Sequence, residues 1–76
     1  MKAYILIEVR TGEIKDVLRQ LKKVKKISEV TMTFGPFDAI AIIDAKDLEE
    51  LGALIADEID PIPGVENTMT CLAVDL

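Results

Sequence analysis

The sequence predicts an α+β sandwich in which a four-stranded antiparallel sheet carries two helices on one of its faces. Three observations lead to this prediction. The chain has 76 residues, which is enough for one compact domain and no more. Segments rich in β-branched residues alternate with segments whose apolar residues recur at helical spacing. Turns that contain glycine or proline separate these segments and set the order strand, helix, strand, strand, helix, strand.

The first strand and the first helix are predicted from residues 3–26. Residues 3–9 are rich in β-branched and aromatic types, which favours a strand. Thr11 is expected to cap the following helix, because its hydroxyl can accept a hydrogen bond from a free backbone N–H. Four lysines between residues 22 and 26 suit the negative end of that helix. The apolar stripe of the helix consists of Ile14, Val17, Leu18, Leu21 and Val24.

A hairpin is predicted in the middle of the chain. Residues 30–34 alternate between apolar and polar types, and residues 39–43 form a short apolar run, so both segments read as strands. Between them, Gly35 tolerates unusual backbone dihedrals and Pro36 fixes one, which is typical of a turn. We therefore expect the two strands to pair directly.

The second helix and the last strand complete the fold. Asp44 is expected to cap the helix, and the prolines after Asp60 end it. Residues 65–74 read as the fourth strand. Two right-handed crossovers around a hairpin give a ferredoxin-like βαββαβ sandwich, with residues 1–76 as a single domain. The apolar stripe of the second helix consists of Leu48, Leu51, Leu54, Ile55 and Ile59.

Composition excludes several classes of function. The formal net charge is -5, which argues against direct nucleic-acid binding. No histidine is present, so ordinary catalytic triads and imidazole metal sites are ruled out. Cys71 is the single cysteine, and we expect it to be a buried apolar residue that takes part in neither a disulfide nor a zinc site. We predict a cytoplasmic protein that is not an enzyme and uses no metal, cofactor or membrane.

The apolar residues are too numerous for one face of the predicted sheet. In the first strand, Tyr4 and Leu6 lie on the face away from the helices, where polar residues are expected. Ile40 and Ile42 of the third strand share that face. An exposed apolar sheet of this size is a liability in a monomer, so we predict a dimer in which two sheets pack face to face. Glu8 is expected at the rim of this dimer, paired with Arg10 or a lysine.

Two segments resemble a known family. The turn from Gly35 to Asp38, followed by an apolar strand, is similar to the G-x-x-D turn of the Lrp/AsnC transcription regulators. The Pro63-Gly64-Val65 segment and the threonines after it are similar to that family's pGV-x-x-T-x-T segment. Both motifs belong to the family's C-terminal effector-binding module, the RAM domain, and the resemblance covers essentially the whole chain.

The resemblance implies a function as well as a fold. It implies sheet-to-sheet homodimers that assemble into octamer-like rings and bind a small amino-acid effector at contacts between dimers. Because Met1 leads directly into the first strand, the chain resembles the stand-alone members of the family, which lack the helix-turn-helix DNA-binding domain. Such a member senses an amino acid by itself or modulates full-length Lrp/AsnC regulators by co-assembly.

The resemblance also suggests which residues bind the effector. The turn would offer backbone N–H groups to a carboxylate, and Asp38 would accept a hydrogen bond from an ammonium group. Segments of the last strand would come from a neighbouring subunit. An equally plain interpretation is that Asp38 only bonds local backbone and that the threonines lie on the strand surface. The candidate ligand-binding residues are Gly35, Pro36, Phe37, Asp38, Thr68, Met69 and Thr70.

Two alternative functions stay open at this point. Dimeric ferredoxin-like chains include small cofactor-free monooxygenases and isomerases, which usually need His, Trp, Tyr or Asn in a pocket. This chain offers only Tyr4 and Asn67 for that role. The other alternative is an ACT-like regulatory module, which shares the strand order. The Pro-Gly-Val segment before the last strand favours the Lrp/AsnC interpretation.

Overall fold

The computed structural model describes all 76 residues, and its elements follow the predicted order. The sheet is antiparallel throughout, with the strand order β2-β3-β1-β4. This confirms the ferredoxin-like fold, with β1 at the centre and β2 and β4 at the edges. The elements are β1 (Lys2–Val9), α1 (Ile14–Leu21), β2 (Ile27–Met32), β3 (Ala39–Asp44), α2 (Leu48–Leu54), a π-helical segment (Ile55–Ile59) and β4 (Val65–Leu72).

One hydrophobic core lies between the helices and one face of the sheet. Along β1 the side chains that face the helices are buried, because a strand presents alternate residues to each face. The α1 and α2 helices contribute to the same cluster, so both cover the same face, as predicted. The core consists of Ala3, Ile5, Ile7, Val9, Val17, Leu21, Val24, Ala39, Ala41, Ile43, Ala45, Leu51, Leu54 and Ile59.

The start of α1 differs from the prediction. The cap residue is Glu13, and no side chain caps the helix, so the assignment of Thr11 as cap is wrong. Gly12 has a φ of 87° and lies in a turn. The helix cap therefore lies two residues after Thr11, at Glu13. An ion pair between Arg10 and Glu13 at 3.2 Å spans this turn. Val24 lies beyond the end of α1 but is buried all the same.

The start of α2 also lies later than predicted. Asp44 is the last residue of β3, and Asp47 caps the helix by accepting a hydrogen bond from the Glu50 N–H at 2.8 Å. The Glu50 carboxylate in turn accepts from the Lys46 N–H at 2.9 Å, so two free donors are satisfied reciprocally. Leu48 is 59% exposed and does not belong to the buried stripe. Neither helix has the length and apolar character needed to cross a bilayer.

Gly64 is required by the packing of α1 against the start of β4. Its φ is +100°, a region that L-residues with a side chain rarely adopt. A Cβ atom at this position would lie 2.9 Å from Val17 Cγ2 and 3.1 Å from Glu13 Cβ. The Gly64 carbonyl also accepts a hydrogen bond from the Arg10 N–H at 2.7 Å, which ties the turn to the end of β1.

The second face of the sheet carries apolar side chains that no element of the chain covers. In the middle of this face, which we call the outer face, lie Tyr4, Leu6, Ile40, Ile42, Met69 and Cys71. Tyr4 is 36% exposed and Met69 55% exposed. Cys71 is exposed in the single chain, so the prediction that it is buried is wrong. The apolar residues that the sequence indicated as an excess lie on the outer face, and none of them belongs to the core described above.

We expect Gly64→Ala to destabilise the fold. The added methyl group meets Val17, and the positive φ penalises any Cβ, so the free energy of unfolding should fall by about 1–3 kcal/mol. Urea unfolding followed by circular dichroism measures this. Gly52→Ala is the matched control, because Gly52 lies within α2 with nothing within 4 Å of the added carbon. That variant should be more stable by up to about 1 kcal/mol, and equal effects at the two positions would contradict this account.

Candidate functional site

The turn between β2 and β3 is exposed at its tip and tied down at its base. Phe34 is fully exposed, and Gly35 has a φ of 141°. At the base, the Thr33 hydroxyl donates to the Phe37 carbonyl at 2.8 Å, and the Thr33 N–H donates to the Asp38 carbonyl at 3.0 Å. The backbone N–H groups of Gly35 and Phe37 donate no hydrogen bond within the chain. The turn therefore presents free donors on a held loop.

Asp38 joins this turn to the central strand. Its N–H donates to the Ile7 carbonyl at 2.9 Å, and its Oδ2 accepts from the Val9 N–H at 2.8 Å. The pairing of β1 with β3 ends at Ile7 and Ala39. Beyond this pair, the Asp38 carboxylate accepts the hydrogen bond from Val9 that a main-chain carbonyl of a longer β3 would accept. The same stretch of β1 carries a register shift against β4, between Glu8 and Val9. Asp38 therefore has a local structural role, and its second carboxylate oxygen forms no hydrogen bond within the chain.

The three candidate residues of β4 do not share one face. Thr68 and Thr70 pair with Ile7 and Ile5, so they lie on the side of the helices, while Met69 pairs with Leu6 on the outer face. The Thr68 hydroxyl donates to Asp60 Oδ1 at 3.1 Å, which connects the two ends of the Pro-Gly-Val turn. The Thr70 hydroxyl is exposed and forms no hydrogen bond in the chain.

Within one chain, β1 separates the two groups of candidate residues. Ile7 pairs with Ala39 on one side and with Thr68 on the other. Since neighbouring strands lie about 4.7–4.9 Å apart, the backbone at Asp38 is roughly 9–10 Å from the backbone at Thr68. The turn and β4 thus approach the same end of the sheet without forming a common pocket.

Two shallow depressions are present, and neither includes the 35–38 turn. One, of about 340 Å³, lies at the start of α2 and is lined by Lys46, Asp47, Glu49, Glu50 and Ala53. The other, of about 290 Å³, lies at the start of β4 and includes Thr68. Its remaining lining residues, none of which the sequence predicts to bind the effector, are Asp60, Val65, Glu66 and Asn67. The Asp60–Thr68 bond across the turn is the feature that brings them together, and only the structure reveals it.

Comparison with known proteins identifies the family. Residues 2–75 match the family model described as the Lrp/AsnC ligand binding domain. The chain belongs to this family. The matched range includes both the Asp38 turn and the Gly64 turn, whose geometry is described above. Membership also decides against the ACT-like alternative.

The similar proteins of known sequence are helix-turn-helix regulators. The Lrp/AsnC chain is 40% identical over 74 residues to the HTH-type transcriptional regulator FL11 of Pyrococcus abyssi, covering 97% of this chain and 48% of that protein. It is 29% identical over 72 residues to Ptr1 of Methanocaldococcus jannaschii, covering 95% of this chain and 49% of that protein. The chain thus spans about half the length of these relatives. They are transcriptional regulators and not enzymes, which supports a regulatory domain over the monooxygenase or isomerase alternative.

Solved structures share the fold closely. TTHA0845 from Thermus thermophilus is 31% identical with a TM-score of 0.92, over 99% of this chain and 94% of that chain. The transcriptional regulator NMB0573 of Neisseria meningitidis, solved as a complex with L-Met, superposes with a TM-score of 0.90 at 14% identity. That match covers 97% of this chain and 49% of that one. At this identity the likeness is one of fold.

We expect the two substitutions of Asp38 to separate its charge from its hydrogen bond. Asp38→Ala leaves the Val9 N–H without an acceptor and should lower the free energy of unfolding by about 1–3 kcal/mol. Asp38→Asn keeps an oxygen that can accept from Val9, and should lose less than about 1 kcal/mol. Urea unfolding of both variants measures the difference. Equal losses would show that the bond to Val9 contributes little.

Proposed function

We propose that this chain is an oligomeric amino-acid-binding domain that regulates transcription through Lrp/AsnC-type regulators. The observation that carries the proposal is the match of residues 2–75 to the family's ligand-binding domain. Two further features support it: free hydrogen-bonding groups on the 35–38 turn, and an uncovered apolar face on the sheet.

The groups on the turn suit a zwitterionic ligand. The free N–H groups of Gly35 and Phe37 can donate to a carboxylate. The second oxygen of Asp38 can accept from an ammonium group, and the bond to Val9 holds this carboxylate in a fixed orientation. A free amino acid carries both groups a short distance apart. The L-Met complex of NMB0573 supports the choice of an amino acid, since that protein has the same fold.

A neighbouring subunit would complete the site. Because β1 separates Asp38 from the candidate residues of β4 within one chain, a ligand on the turn needs its remaining contacts from another copy. Thr70 has an uncommitted hydroxyl for such a contact, while the Thr68 hydroxyl is engaged with Asp60. Met69 lies on the outer face, so it would contact a partner subunit and not the ligand.

The outer face is the proposed surface of the homodimer. Packing two such faces together would remove Tyr4, Leu6, Ile40 and Ile42 from water, which is the main favourable term in association. Dimers would then assemble into octamer-like rings around the ligand sites. FL11 is similar to this chain over about half of its length, so we expect a regulator of that type to offer a similar surface for co-assembly.

We expect calorimetry against the common amino acids to detect binding by at least one of them at millimolar concentration. Asp38→Asn should weaken that binding at least about tenfold, because the ammonium group loses a charged acceptor while the bond to Val9 is kept. Asp57→Asn is the control, since Asp57 is exposed on the π-helical segment. No binding by any amino acid would refute the proposed effector class, and unchanged affinity in Asp38→Asn would remove that residue from the site.

We expect Leu6→Lys to convert the dimer to a monomer at micromolar concentration, because it places two charges in the middle of the apolar interface. Leu48→Lys is the matched control: Leu48 is 59% exposed on α2, and that variant should remain a dimer. Sedimentation velocity distinguishes the two states. A wild-type chain that sediments as a monomer would overturn the proposed assembly.

A further inference from the structure

The outer face carries opposite charges at the two ends of the central strand. Lys2, Tyr4, Leu6 and Glu8 follow one another on this face, because alternate residues of β1 point the same way. The two apolar residues lie in the middle, Lys2 at one end and Glu8 at the other. Six residues at about 3.3–3.4 Å each separate the charged positions by roughly 20 Å.

Neither charged residue has an ionic partner within the chain. Lys2 Nζ lies 5.7 Å from the centroid of the Tyr4 ring, which directs its side chain over the outer face. Asp44 is its register partner on β3, yet the two form no ion pair. Glu8 is half-buried and forms neither a hydrogen bond nor an ion pair. Of the two partners expected for Glu8, Arg10 pairs with Glu13 instead, which leaves a lysine.

We propose that Lys2 pairs with Glu8 of the partner subunit at both ends of the dimer interface, and that this pairing sets the direction in which the two sheets face each other. The inference rests on the homodimer proposed above. A two-fold dimer uses the same surface on both copies, so each pair occurs twice. The occupant of the outer face is therefore a second copy of this chain, with its β1 antiparallel to the first.

The charges distinguish two ways of placing the two-fold axis. An axis parallel to β1 brings Lys2 against Lys2 and Glu8 against Glu8 of the partner subunit, and like charges in an interface are costly. An axis perpendicular to β1, in the plane between the sheets, brings Lys2 against the partner's Glu8 twice. Both arrangements bury the same apolar residues of β1, and the charges of Lys2 and Glu8 favour the perpendicular axis.

The dimensions of packed sheets allow this contact. Stacked sheets lie about 10 Å apart and cross at about 30°. A crossing of that size about the middle of β1 displaces the strand ends by roughly 5 Å, because each end lies about 10 Å from the middle. The flexible four-carbon stem of lysine accommodates such a displacement, and the ends of β1 lie at the rim of the face, where the two ions keep part of their hydration.

Charge reversal tests the pairing as a double-mutant cycle in sedimentation equilibrium. Lys2→Glu and Glu8→Lys should each weaken the dimer at least about tenfold, because each replaces two attractive pairs with two repulsive ones. The double variant restores opposite charges and should bind within about threefold of the wild type. Circular dichroism checks that every variant is folded. Lys15→Glu and Glu49→Lys, on exposed positions of the helical layer, repeat the same changes in net charge away from the outer face.

The outcomes separate this inference from the homodimer on which it depends. Two weakened single variants with a restored double variant would support the pairing. If the single variants and the double variant all match the wild-type dimer, the pairing is refuted while the homodimer stands. If the helical-layer controls weaken the dimer as much as the outer-face variants, net charge is the cause and the pairing is also refuted. A wild-type monomer would refute both proposals together.

Discussion

The pairing of β1 with a strand on each side is the constraint on which the rest of the structure depends. One face of this strand is buried completely under the helices, and the other carries Tyr4 and Leu6 without a cover. Both edges of β1 are used by β3 and β4, so no backbone groups along its length remain for another chain. Any further contact of the central strand must therefore be made through side chains on the outer face.

The contacts of β1 also explain why Asp38 and Gly64 are needed in the turns next to it. Asp38 is needed where β3 leaves β1, because the Val9 N–H would otherwise have no acceptor. Gly64 is needed where β4 approaches β1, because Val17 leaves no room for a Cβ atom. Both residues thus have a structural reason that is independent of any ligand. For Asp38 this structural role is compatible with the proposed contact to a ligand, since only one of its two carboxylate oxygens bonds to Val9.

Features that depend on local sequence patterns could be predicted, whereas features that depend on contacts between distant residues could not. The strand order and the two faces of β1 could be predicted, because alternation and helical spacing report directly on burial. The predictions of Thr11 and Asp44 as helix caps were wrong. Several residues near each helix start have suitable side chains, and tertiary contacts determine which of them is the cap. The bond between Asp60 and Thr68 crosses a turn, and no local pattern indicates it.

The candidate site could be predicted only as a set of residues, because β1 separates the 35–38 turn from the candidate residues of β4 within one chain. Ile7 pairs with the strands that carry both proposed halves of the site, and the next residue, Glu8, points to the outer face. In the proposed dimer, a ligand that fixes the turn through Asp38 therefore acts on the stretch of β1 whose side chain meets the partner subunit. Linkage then requires the effect to be mutual: an effector that stabilises the assembled state binds more tightly to that state by the same factor. The core leaves the outer face of the sheet uncovered, and it is on this face that the proposed dimer would place such a coupling.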